Sequence, residues 1–86
     1  MYKASIHVTL RPSILDPQGK ATREALLHLG YDAVHQVRMG KYVELWVDTD
    51  SEDEARRVAT DACEKLLANP VVENYRFELE LSGVTA

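Results

Sequence analysis

Three stretches of strict alternation, separated by helical periodicity, leave few folds open to this chain. From Tyr2 to Arg11, the residues Tyr2, Ala4, Ile6, Val8 and Leu10 fall on one side, and Lys3, Ser5, His7, Thr9 and Arg11 on the other. A sustained period of two is a β-strand with one buried face, because successive side chains of an extended chain point to opposite sides. Near the other end, between Val71 and Leu81, Tyr75, Phe77, Leu79 and Leu81 alternate with Asn74, Arg76, Glu78 and Glu80. The third stretch runs from Ala33 to Asp48. Val37 and Met39 precede Gly40-Lys41, Val43, Leu45 and Val47 resume the pattern beyond, and Tyr42, Glu44 and Trp46 point the other way. Gly40-Lys41 reads as a tight hairpin dividing this stretch into two strands; a single long bent strand is the alternative.

The helices announce themselves by their ends. Asp16-Pro17 starts one, since the carboxylate accepts an amide of the first turn and Pro17 occupies a position that needs no donor. It is expected from Pro17 to about Leu29, with Thr22, Ala25, Leu26 and Leu29 on its inward stripe. Gly30 closes it in the left-handed C′ position, with Tyr31 as the apolar contact. Ser51-Glu52-Asp53-Glu54 is a capping box with its acids at the positive end of the helix dipole. Ala55, Val58, Ala59, Ala62 and Leu66 follow at helical spacing, and Asn69-Pro70 stops the helix. The order strand, helix, strand, strand, helix, strand is that of an α+β, ferredoxin-like βαββαβ fold, with two helices on one face of a four-stranded antiparallel sheet. The 86 residues form one domain, 1–86, with 82–86 a frayed tail. So small a chain buries only about 60–65% of the surface its unfolded form exposes, which leaves room for partners to add stability.

Composition excludes several functions. Fourteen acidic against ten Lys and Arg residues give a net charge of −4, the wrong sign for a nucleic-acid ligand. No apolar run approaches the roughly 20 residues that cross a bilayer, so no membrane partner is expected. A single cysteine excludes an internal disulfide and fits a reducing cytoplasm.

Chemistry is sparse. His7, His28 and His35 are scattered, with no carboxylate or cysteine at metal-ligand spacing, so no metal site is expected. Cys63 lies beside the apolar stripe of the second helix without a cation to stabilise a thiolate, and reads as a packing residue. The acids from Asp48 to Glu54 lack a calcium loop and are explained by helix capping. Gly19 in the first helical turn, with Lys20, Arg38 and Lys41 near it, is a conceivable anion site, but Asp16 competes for the same donors. The uncovered sheet face carries Lys3, His7, Thr9, Tyr42, Glu44, Trp46, Arg76 and Glu78. Tyr42 and Trp46 on that face suit an interface, since bare aromatic surface is otherwise avoided. They are the self-association candidates.

Three segments together resemble one family: Leu15-Asp16-Pro17-Gln18-Gly19, Arg38-Met39-Gly40-Lys41-Tyr42-Val43-Glu44-Leu45, and Leu66-Leu67-Ala68-Asn69-Pro70-Val71-Val72-Glu73-Asn74-Tyr75. They are similar to the PurS family, the small subunit of phosphoribosylformylglycinamidine synthase, from Tyr2-Lys3-Ala4 through Tyr75-Arg76-Phe77-Glu78. Val72, where the family often has Ile, and the short tail beyond Leu81 depart from it. The resemblance implies an accessory subunit of a ligase of de novo purine synthesis, without a catalytic site or cofactor of its own. ATP and Mg then belong to the large synthetase subunit, and a separate glutaminase subunit releases ammonia. It also implies a homodimer or dimer of dimers that docks both. Bridging residues are an inference of our own: Asp16, Gln18 and Gly19 at the helix start, and Arg38, Gly40 and Lys41 at the expected hairpin. Two other readings remain. An amino-acid-sensing module of the ACT type shares the element order and would bind its ligand near Arg11–Gly19. A small isomerase would use His7 with Arg11 or Arg76.

Overall fold

The computed structural model describes residues 1–83. Its elements are β1 (Tyr2–Leu10), α1 (Pro17–His28), β2 (Gly40–Val47), α2 (Glu52–Ala62) and β3 (Glu73–Leu81). The sheet order is β2-β1-β3, with the first strand in the centre and antiparallel to both neighbours. Alternation sets the register. Ala4 stands between Leu45 and Leu79, and Ile6 between Val43 and Phe77, so the apolar positions of all strands share one face. The opposite face pairs Lys3 with Trp46 and Glu80, and His7 with Tyr42 and Arg76.

Among the described residues the sheet has three strands, not four. Val37 and Met39 do not form a strand, and Gly40-Lys41 is no hairpin: Gly40 is the first residue of β2. Residues 34–39 carry no regular structure and lie beside α1, where Arg23 Nε donates to the Val34 carbonyl at 3.2 Å, and the amide of Met39 goes to the Asp16 carboxylate at 2.8 Å rather than to a strand. Val37 is half-buried and Met39 exposed, so the alternation of residue type there does not correspond to a buried sheet face. Nor is the backbone bent for a primed turn, because Gly30 is the one described residue with positive φ.

α2 lies across the apolar face through Ala55 and Ala59, both fully buried. Their small side chains let the helix approach Ile6 and Val8, which with Cys63 are the largest fully buried side chains. After Ala62 the helix widens into a π-helical turn, Cys63–Leu67, closed by the amide of Ala68 on the carbonyl of Cys63 at 3.0 Å. The widening corrects the expected stripe: Cys63 and Leu67 turn inward, and Leu66 is left exposed.

α1 does not share the sheet face with α2. Its expected inward stripe is uncovered, with Ala25 and Leu29 exposed and Thr22 and Leu26 half-buried. The helix projects from the sheet as an arm, and the molecule measures 49 × 28 × 16 Å. Its end follows the sequence: Gly30, at φ 95°, gives its amide to Leu27, and Tyr31 gives its amide to Leu26. At the C-terminal edge the amide of Ser82 bonds the carbonyl of Met1 at 2.8 Å, continuing the β1–β3 ladder; of the expected frayed tail, 82–86, residues 84–86 lie outside the described residues.

Candidate functional site

Two regions collect the residues singled out from sequence. The first is the root of the arm, where the start of α1 meets residues 35–41. Asp16 builds it. Its Oδ1 accepts the Gly19 amide at 2.9 Å and its Oδ2 the Met39 amide at 2.8 Å, so one carboxylate caps α1 and ties down the segment entering β2. Those two amides, Met39 first, hold the Asp16 carboxyl below its usual range, with a smaller contribution from the Arg38 charge. Gly19 is buried because the segment lies flush on it: a Cβ there would stand 2.3 Å from the Val37 carbonyl oxygen. Gly40 plays the same part opposite β1, where a Cβ would stand 2.4 Å from the Val8 carbonyl oxygen.

Lys41 reaches across to the end of the π-turn. Its Nζ donates to the Leu67 carbonyl at 2.9 Å and lies 3.8 Å from Glu73. Gln18 is exposed and lines a cleft of about 240 Å³ with Met39, Gly40, Lys41 and Glu73. Arg38 opens onto the other side, into a cleft of about 540 Å³ that also holds Lys20, Arg23 and His35. All six loop candidates therefore meet at the arm's root, although the sequence separates them into two groups. Asp16, Gly19 and Gly40 shape the surface, whereas Gln18 and Arg38 face outward. Arg23 and His35 were not among the sequence candidates. The usable signal was helical spacing, since Arg23 is one turn beyond Gly19 on the face that the segment covers.

The second region is the open sheet face. Tyr42 is exposed; its ring lies 5.0 Å from that of His7, and its hydroxyl donates to Glu44 at 3.4 Å. Lys3 sits at the middle, 2.7 Å from Glu44, 3.7 Å from Glu80, and 5.6 Å from the centre of the Trp46 ring. The Glu44 pairing raises the Lys3 pKa and, reciprocally, lowers that of Glu44. The face is thus aromatic at one edge and a mesh of mixed charge across its width. His7 does stand opposite Arg76, beside a hollow of about 200 Å³, but Arg76 lies 3.6 Å from Glu78 and Arg11 instead donates to the Pro70 carbonyl.

Two further groups belong to the core's rim. Burial pushes the Cys63 thiol up, which keeps it protonated, in line with a packing role. Tyr75 donates to Glu64 at 2.7 Å, and that bond, with burial, pushes the phenol up to about 12. Among the described residues no cluster of three or more His, Cys, Asp or Glu is placed to hold a metal ion, and no helix is long and apolar enough to cross a membrane.

The surface features fit docking, and comparison with known proteins gives them a context. Residues 3–81 match the family model described as PurS, phosphoribosylformylglycinamidine (FGAM) synthase. The chain is 51% identical over 78 residues to the PurS subunit of that synthase from a Synechocystis species, covering 91% of this chain and 78% of the relative. It is 46% identical to the Bacillus subtilis PurS subunit, covering 93% and 94% respectively. The crystal structure of the B. subtilis protein superposes with a TM-score of 0.85, over 94% of this chain and all of that one. A chain in the structure of Thermotoga maritima PurLQS also superposes with a TM-score of 0.85, at 33% identity over 92% of this chain and 96% of its own length. With a family match across nearly its whole described length, the chain belongs to the PurS family, the small subunits of FGAM synthase.

Proposed function

We propose that this chain is the non-catalytic small subunit of FGAM synthase in de novo purine biosynthesis. It holds the glutaminase and the ATP-dependent synthetase together so that ammonia released from glutamine reaches formylglycinamide ribonucleotide. The observation that carries this reading is its likeness, over most of both chains, to a chain of the T. maritima PurLQS structure. ATP and Mg are assigned to the synthetase subunit and the whole assembly to the cytoplasm. The physical need is plain: free ammonia is diluted and protonated in water, so two active sites that share it must be kept together.

The shape supports association with further copies, as a homodimer or dimer of dimers. The radius of gyration is 16.4 Å, against about 12 Å for a compact domain of this length. The accessible surface is 6114 Å², against about 5100 Å² expected for a monomer of this mass. An excess of about 1000 Å² is what one partner contributes to an ordinary stable interface, roughly 800 Å². Tyr42 and Trp46 on the open sheet face supply the anchors for self-association. Gln18, Arg38 and Lys41, on the surface that Asp16, Gly19 and Gly40 shape, are offered to the other subunits.

Reconstitution tests the reading. Cognate synthetase and glutaminase are assayed for amidine formation, from glutamine and separately from ammonia, with and without this chain. A bridging subunit is required for the glutamine-dependent rate and dispensable for the ammonia-dependent one; indifference of both rates refutes it. Light scattering of Tyr42→Ala/Trp46→Ala tests the sheet face, where an unchanged mass removes those residues from the self-interface.

A further inference from the structure

A cleft of about 540 Å³ opens between the β1–α1 connection, the first turns of α1 and residues 35–38. Lys20, Arg23, His35 and Arg38 line it. Lys20, Arg23 and Arg38 thus gather three positive charges in one place, in a chain whose net charge is −4. Lys3, Lys41, Arg56, Arg57 and Arg76 each lie within 4.0 Å of a carboxylate. Of the five remaining Lys and Arg residues, three line this one cleft, the others being Arg11 and Lys65.

The single acid in the lining, Asp16, has both oxygens committed to backbone amides. Arg23 spends its Nε on the Val34 carbonyl at 3.2 Å, which aims the guanidinium and leaves its terminal amino groups. Among the described residues the Lys20 and Arg38 side chains make no hydrogen bond and come within 4.0 Å of no carboxylate, the Arg38 charge acting on Asp16 only from farther off. The amides at the start of α1 offer little, because Pro17 has none and those of Gln18, Gly19 and Lys20 already turn to Asp16. Any anion must therefore be held by side chains. Two guanidinium forks and an ammonium suit the paired oxygens of phosphate, and the volume is within the range of small-molecule sites.

We propose that this cleft binds a phosphate-bearing small molecule, a phosphate monoester or diphosphate, through Lys20, Arg23 and Arg38. The site stands or falls independently of the bridging role, since it is read by binding to this chain alone. The test is a titration of the full chain, labelled with nitrogen-15, with pyrophosphate and separately with ribose 5-phosphate at constant ionic strength. Saturable amide shifts are expected at Gly19, Lys20, Arg23 and residues 35–38. Lys20→Gln/Arg38→Gln should weaken binding at least about tenfold, the loss of a charge-assisted hydrogen bond. Lys65→Gln, which removes an unpaired cation elsewhere, should leave it unchanged. Both replaced side chains are exposed and unbonded, and each single variant serves if the double variant loses its far-ultraviolet circular dichroism. Shifts that do not saturate with either compound, or that persist in the variants, overturn the proposal. So does a hexa-aspartate peptide that saturates the same amides where both phosphates fail, which would make the cleft a seat for carboxylates.

Discussion

Replacing Gly19 by Ala sets two opposite effects against each other at one atom. In a free helix the change is favourable by up to about 1 kcal/mol, because Ala restricts the unfolded chain and solvates less backbone. Here the new methyl group would stand 2.3 Å from the Val37 carbonyl oxygen and 2.6 Å from Asp16 Oδ2. Neither neighbour is the free end of a flexible side chain: one is backbone, and the other is fixed by two amides. Overpacking costs about 1–3 kcal/mol, and a 2.3 Å approach to backbone belongs to the upper part of that range, about 2–3. Less the gain of up to about 1, the net is a loss of about 1–2 kcal/mol, or a fall in Tm of roughly 4–16 °C for a domain of this size. The assay is thermal unfolding at fixed chain concentration, with Gly83→Ala as control, since nothing lies within 4 Å of a Cβ there. The damage should also be local. Exchange of the Met39 amide should accelerate while the amides of β1 remain protected. A Tm equal to or above wild type, or an unaltered Met39 amide, would refute the idea that Gly19 exists to let residues 34–39 lie against the arm.

Asp16→Asn should flatten the acid limb of stability. The folded carboxyl has the lower pKa, so its contribution is complete above the unfolded range near about 3.9 and disappears as pH falls through the folded value; wild-type Tm therefore drops more steeply below about pH 4 than the variant's. Tyr75 has the raised pKa, so its contribution is complete below about pH 10 and lost as pH climbs through about 12. Ultraviolet titration should show a tyrosinate forming at about 12 that moves toward about 10 in Glu64→Gln; no movement would detach it from that carboxylate. Ile6→Ala removes a fully buried side chain from the central strand and should cost about 2–5 kcal/mol. A urea midpoint within error of wild type would show that the sheet's apolar face is not the core.

The faces of β1, β2 and β3 were legible because each strand is covered on one side only, and half-covered strands must alternate. Both helix starts were legible for an equally local reason, Asp16 and Ser51 each accepting an amide three residues on. What local pattern could not reveal was where a segment docks. Val37 and Met39 alternate as a strand would, yet their backbone lies against α1. Leu66 stands at the right helical spacing to face inward, but one wider turn rotates it out. The residues at the arm's root were found in part, as Asp16, Gly19 and Arg38 carry the resemblance to the family. Arg23 and His35 belong to no motif and become neighbours only after residues 34–39 fold back.

The position of the first strand in the middle of the sheet governs how this protein is made. Tyr2 pairs with Val47 on one side and with Leu81 on the other, so both ladders close across long loops and one of them spans almost the whole chain. Such non-local pairing makes folding slow, since much loop entropy is lost before any contact rewards it. During synthesis β1 emerges first and waits, one edge of its backbone unpaired, until the last strand leaves the ribosome. A chain that ends before Glu73 still has α2 to cover Ile6 and Val8, but keeps that backbone edge of β1 open to any passing strand. Early termination therefore yields a sticky sheet rather than a shorter subunit.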